Sequence, residues 1–291
     1  MIWVWATLIA AVAQTGRNAA QAGLTASVGT VGATAVRFLF GLPFAALSLI
    51  ALAPFVAVPA LGGDTVAYAG LGAAAQIGAT AFMLLTMRGQ GFGVATALMK
   101  TEPVTLAIIG AVVLAEPLGP ARLGAIALAT LGVVLASGAR WSRAGLRGIA
   151  TGVTAGALFG LSSIGFRGAL LSLPEGGFFI RALTVLVLTL ALQSAAMLIW
   201  MGLHDRRGLC AILRMWRQSL TAGALGAFAS LFWFIGFALT PAANVRTLAL
   251  IEVVLAQLVS GRLFRQSTTT LQLFGMGLIV LGVGWLLAVT V

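Results

Sequence analysis

Apolar residues run through this chain in long stretches, broken at short intervals by turn-forming or basic residues. They give ten candidate helical spans at about 2–22, 31–53, 65–87, 93–115, 121–137, 148–171, 178–202, 218–239, 244–261 and 268–290. A helix needs roughly 20 apolar residues to cross a hydrocarbon core about 30 Å thick, and most of these runs approach that length. None alternates with the period of two that marks a barrel strand, so closed helical spans are predicted. The first run, MIWVWATLIAAVAQTGRN, has no charged segment ahead of its apolar core and no small-residue cleavage pattern behind it. It reads as a first spanning helix and not as a removed signal peptide.

Charged residues inside these runs set the organisation of the rest. Lys100 and Glu102 fall within Gly93 to Gly119, where an ionised group costs at least several kcal/mol unless it faces protein or water. The pattern returns late in the chain, where Glu252 lies 150 positions after Glu102. Arg17 and Arg167 are also 150 apart, as are the Leu131-Gly132 and Leu281-Gly282 pairs, while Arg37 and Arg181 are 144 apart. Four such matches in order predict two copies of one unit, 1–140 with helices 1–5 and 141–291 with helices 6–10. Five spans is an odd number, so the second copy enters the membrane from the opposite side. The expected fold is an all-α polytopic membrane protein of ten transmembrane helices in two inverted five-helix repeats.

Composition agrees with the pattern. Hydrophobic residues make up 60% of the 291 positions and charged ones 8%, and mean hydropathy is +1.10, which excludes a water-soluble globular domain. The net charge of +11 does not point to nucleic acid, because most basic residues sit in short loops between apolar runs. Loops after odd-numbered spans hold Arg88, Arg140, Arg143, Arg147, Arg206, Arg207, Arg214, Arg217, Arg262 and Arg265; the other side holds Arg122 with Asp64, Glu116 and Glu175. By the positive-inside rule the basic side is cytoplasmic, which places both termini outside a bacterial-type inner membrane. Trp3, Trp5, Trp141, Trp200, Trp216 and Trp285 fall near span ends, as an interfacial belt requires. A single cysteine, Cys210, and a single histidine, His204, exclude a disulfide framework and a metal cluster.

Three stretches carry a family likeness: VGATAVRFLFGLPFAAL from Val31, ATALMKTEPVTLAIIGAVVLAEPLGP from Ala95, and the glycine-rich LGAIALATLGVVL that follows. With them the whole chain resembles the drug/metabolite transporter superfamily, specifically ten-helix exporters built from two EamA domains. The resemblance implies the fold and transport of a small molecule, without naming the substrate, since the family exports amino acids, other metabolites and drugs. It also implies both termini inside, against the charge bias. Relatives usually carry a Gly-Glu pair after the ninth helix, where this chain has Arg265 and Gln266.

Candidate transport residues follow from polarity inside the spans. Gln14, Arg17, Asn18 and Gln21, at i, i+3, i+4 and i+7, form one polar stripe that either lines a cavity or makes a polar helix contact near the surface. Arg167, in the matching sixth span, and Trp233, alone among tryptophans within a span, join them as substrate-binding candidates with Lys100. Arg37, Arg181 and Arg246 are pathway or structural candidates, Lys100 and Arg246 being expected on opposite mouths. Arginine grips carboxylate or phosphate bidentately, whereas lysine offers a mobile point charge. Glu102 and Glu252 are candidates for proton coupling or for a fixed ion pair. Pro103 is expected to disturb its helix and free a carbonyl.

The chain has no catalytic triad, metal-ligand cluster or phosphate-binding glycine loop, so enzymatic chemistry, ATP drive and a cofactor are not expected. The expected function is a secondary active exporter of an amino acid or organic acid, working by alternating access and coupled to protons, as a monomer or homodimer in the lipid bilayer. A multidrug or cationic-compound exporter is the alternative within transport. A non-transporting membrane scaffold or sensor is the alternative outside it.

Overall fold

The structure is a computed structural model that describes residues 1–90, 98–100, 102–136, 146–251, 253–254 and 269–290, with backbone alone at 15, 18–23, 25–26, 30, 84 and 87–90. Among the described residues the chain forms eleven helices and no strand. These are α1 (Ile2–Leu39), α2 (Gly41–Leu52), α3 (Gly63–Gln90), α4 (Glu102–Val113), α5 (Pro120–Ala136), α6 (Leu146–Leu171), α7 (Phe178–His204), α8 (Arg206–Arg214), α9 (Trp216–Leu239), α10 (Ala242–Leu248) and α11 (Thr270–Thr290). Six stretches are long and apolar enough to cross a bilayer: Val31–Leu52, Gly63–Met83, Leu146–Leu171, Phe178–His204, Trp216–Leu239 and Thr270–Thr290. The protein is therefore an all-helical membrane protein. Shorter apolar helices occupy Ile2–Gln14, Glu102–Val113 and Pro120–Ala136. The predicted span 244–261 lies mostly outside the described residues, as do Arg140, Trp141, Arg143, Glu252, Arg262, Arg265 and Gln266.

Local sequence explains where the helices break. Gly29 interrupts α1 at φ 69° and ψ 177°, a backbone state that residues with a Cβ scarcely enter, and so divides the first apolar run from the second. Phe40 keeps a right-handed helical conformation between α1 and α2, which lets Val31–Leu52 behave as one span. Pro120 opens α5, where a missing amide hydrogen leaves no helical bond unmade.

The chain divides into two compact units, each drawing helices from both halves of the sequence. One comprises Gly78–Ile164 and Thr240–Val291; the other comprises Ile2–Ile77 and Gly165–Leu239. In the first unit α5 packs on α11 through glycine. A methyl group added to Gly275 would lie 2.5 Å from the Ala136 nitrogen, and one on Gly282 the same distance from the Ala129 nitrogen. On Gly132 it would lie 2.6 Å from the Gly275 carbonyl oxygen. In lipid the attraction between helices comes from such close van der Waals approach, because both surroundings are equally apolar. Gly132 and Gly282, paired by sequence offset, both lie in this one crossing, Gly132 against Gly275 and Gly282 against Ala129, while their neighbours Leu131 and Leu281 are exposed.

In the second unit α1 lies along α9, and the carbonyl side of Phe40 rests on Gly223. The parts of α3 and α6 in this unit approach at Gly72 and Gly165, where an added methyl would come within 2.6 Å of backbone. Gln193 on α7 donates a 2.8 Å hydrogen bond to Gln76 on α3, and both amides are buried. Two amides that satisfy each other avoid the cost of burying either one unpaired in an apolar interior.

Candidate functional site

The polar residues that the sequence singles out gather in two places, one in each unit. In the second unit the organising surface is one face of α9, formed by Gly226, Ser230, Trp233 and Phe237 at i, i+4, i+7 and i+11. The stems of Arg17 and Arg37 cross this face at Gly226, where an added methyl would sit 3.5 Å from Arg17 Cδ and 3.4 Å from Arg37 Cγ. A small residue there leaves both stems in ordinary contact with the helix, with room for a methyl group but not for a larger side chain. Seven residues along, Trp233 is buried and its Nε1 donates to Gln14 Oε1 at 3.1 Å. Gln14 and Arg17, three apart on α1, thus face the same helix as the predicted stripe requires; the side chains of Asn18 and Gln21 lie outside the described residues.

The second-half arginines do something different. Arg167 Nη1 donates to the carbonyl of Phe237 in the last turn of α9, and Arg181 Nη2 donates to the carbonyl of Leu170 in the last turn of α6. The last carbonyls of a helix have no partner within it and carry its negative dipole end, so a buried guanidinium there is a stabilising cap. Arg17 and Arg167, equivalent by sequence offset, are therefore not equivalent in role. By these bonds Arg167, a substrate-binding candidate, and Arg181, a pathway or structural candidate, each hold the end of a neighbouring helix.

In the first unit the centre is Glu102. Arg246 Nε lies 3.2 Å from Glu102 Oε1, with both side chains largely buried. Ser163 Oγ on α6 is 3.4 Å from the same carboxylate oxygen, and Arg246 Nη2 donates to Ser163 Oγ at 3.3 Å. Lys100, half-buried, interacts electrostatically with both Glu102 and Arg246. The expectation that Lys100 and Arg246 serve opposite mouths is thereby corrected: they share one carboxylate, because α10 packs on α4.

The backbone at this cluster is interrupted twice. Lys100 stands in a turn and regular helix resumes at Glu102. Far along the sequence α10 ends at Leu248, residues 249–250 form a turn, and helix resumes at Ile251. There Leu250 donates to the Thr247 carbonyl and Val253 to that of Leu250, both at 3.0 Å, the shorter three-residue closure of a tightened helix. The two interruptions fall about 150 positions apart in the sequence. Glu102 occupies the first turn of α4, where the positive dipole end favours a carboxylate. Pro103 follows at a position whose amide hydrogen would have had no helical acceptor. Pro103 therefore begins a helix instead of kinking one, and the predicted disturbance lies just before it.

Two features of these sites escaped the sequence reading. Nothing local in the sequence marks Ser163 as the bridge between Glu102 and Arg246. Gln76 and Gln193 carried a usable signal, since each is an amide inside an apolar run, but their pairing is visible only in three dimensions. Among the described residues no group of three or more His, Cys, Asp or Glu side chains is placed to hold a metal ion.

With the geometry in place, comparison with known proteins bears on the fold. The chain matches no family model and no curated protein at a significant level. Solved structures do match. One, described only as the crystal structure of a protein, is similar over 99% of this chain and 95% of its own, with a TM-score of 0.71 at 17% sequence identity. This all-helical membrane fold thus has an experimental counterpart of nearly equal length, and identity that low extends the likeness to fold alone.

Proposed function

We propose that this protein is a secondary active exporter of the EamA type, ten helices in two inverted five-helix repeats, moving a small anionic or zwitterionic metabolite such as an amino acid or organic acid. The observation that carries the reading is the pair of interrupted helices about 150 positions apart, the offset of the proposed repeat, with Lys100, Glu102 and Arg246 gathered at the breaks. Discontinuous spans at corresponding points of two repeats characterise transporter binding sites near the bilayer midplane, where half-helix ends face the cargo and its coupling ion. Arg17 and Arg37 over Gly226 supply cationic surface of the kind that holds a carboxylate. Glu102, held by two cations and a hydroxyl, is the proposed proton carrier: taking up a proton releases Arg246 and Lys100 for the carboxylate of the cargo.

The testing experiment is a thermal-stability screen of purified protein in detergent against amino acids, organic acids, phosphorylated metabolites and quaternary amines, since a ligand that binds the folded state raises its stability. Stabilisation by carboxylates or amino acids, lost in Arg17→Gln and Arg246→Gln, supports the proposal. Stabilisation by hydrophobic cations alone replaces it with the multidrug reading, and no response to any class favours the scaffold.

A further inference from the structure

From α8 and its flanks we infer a binding surface for anionic phospholipid headgroups, separate from the transport residues. The segment from His204 to Arg217 holds four arginines and one acid, and that acid is occupied: Asp205 Oδ1 accepts the Gly208 amide at 2.9 Å as the cap of α8. On a helical wheel Arg206, Arg207 and Arg214 fall within about 100° of one another, with Ile212 on the opposite side. Ile212 is fully buried and reaches Gly32 of α1, which fixes the helix against its own unit, whereas the three arginines are exposed. Apolar side chains border the basic face. Leu203 and Leu213 are exposed, and so is Trp216, whose ring lies 5.4 Å from the Arg217 guanidinium carbon. A short helix anchored on one side, rich in arginine on another and edged by leucine and tryptophan is the pattern of an element lying in the membrane interface.

Two details point beyond mere solvation. Arg206 and Arg207 occupy the first turn of α8, where the helix dipole repels cations, and no acid accompanies them in that turn. Arg206 Nε meets one carbonyl of its own unit, that of Gly202 at 2.7 Å, and with Asp205 held as the cap the exposed face stays strongly positive. The apolar border supplies the second detail, because a soluble anion would gain nothing from Leu203, Leu213 and Trp216, whereas a lipid offers a phosphate to the arginines and an acyl chain to these three. Each arginine near such a surface favours anionic lipid by about 1 kcal/mol, roughly a fivefold effect.

The single cysteine of the chain, Cys210, is exposed in α8 and lies between the arginines on the wheel, so it accepts a thiol-reactive fluorophore without any engineered residue. The labelled protein in nanodiscs is to be compared with a trace of headgroup-quencher lipid of either phosphatidylglycerol or phosphatidylcholine type. Quenching by the anionic lipid should exceed that by the neutral one by at least about fivefold, the effect of a single arginine. The preference should persist when all four arginines become lysine, vanish when all four become glutamine, and fade in molar salt. Equal quenching by the two lipids, or a preference surviving in the glutamine variant, overturns the inference. Should the glutamine variant fail to fold, the salt titration of the unaltered sequence decides, and a preference indifferent to salt overturns it equally.

Discussion

Removing one member of the Glu102, Arg246 and Lys100 cluster should not cost the same as removing another. At 3.2 Å the Glu102–Arg246 pair has a gross attraction of about 5 kcal/mol at an effective dielectric of about 20. Desolvation offsets much of that, but deleting one partner of a buried pair leaves an uncompensated charge and typically costs about 3–5 kcal/mol. Arg246→Gln leaves Glu102 with Lys100 as a remaining counter-ion, so its cost should fall well below that range. Glu102→Gln takes the carboxylate from Arg246 and Lys100 together, and its cost should reach it. The double variant removes one charge of each sign and should recover part of the loss, giving a coupling of about 1–3 kcal/mol. In thermal denaturation of the detergent-solubilised protein, Glu102→Gln should lower the midpoint on the order of 10 °C, with Arg246→Gln smaller and the double variant between them. If Arg246→Gln is as damaging as Glu102→Gln, or the double variant is worse than either, Lys100 is not sharing the carboxylate and the account of this cluster is wrong.

Other outcomes follow from the packing. Gly275→Val and Gly282→Val should lower expression and thermal stability severely, since each places carbon about 2.5 Å from backbone nitrogen, whereas Gly277→Val and Gly284→Val, with nothing within 4 Å, should be tolerated; equal effects would place the α5–α11 crossing elsewhere. Gly226→Ala should fold and retain ligand-induced stabilisation, because 3.4 Å is ordinary contact, while Gly226→Leu should displace Arg17 and Arg37 and abolish the response to carboxylates. Gln14→Leu should cost about 1–3 kcal/mol by leaving the buried Trp233 Nε1 without its acceptor, and adding Trp233→Phe should restore most of it, as measured by a double-mutant cycle in thermal stability. Arg167→Gln should lower stability by removing the cap on Phe237 yet leave the ligand profile unchanged; a changed profile would return Arg167 to the substrate site.

Much of this molecule is written locally. Length and apolarity alone mark a membrane helix, so six predicted spans coincide with helices able to cross a bilayer, and Gly29 and Pro120 mark helix limits through their own backbone constraints. The interior charges are equally legible, because a Glu or Arg inside an apolar run stands out whatever surrounds it. What those charges do was not legible. Arg17 and Arg167 are matched by a sequence offset of 150, but one crosses Gly226 and the other caps Phe237, a difference set by which helix lies alongside. Lys100 and Arg246, 146 positions apart, share Glu102 only because α10 packs on α4. Periodicity fixes the face of a helix on which a side chain lies, whereas helix crossings fix what that face meets, and those depend on distances between residues far apart in the chain. The sequence therefore determined the class of protein and its inventory of charges, and the tertiary structure decided their partners.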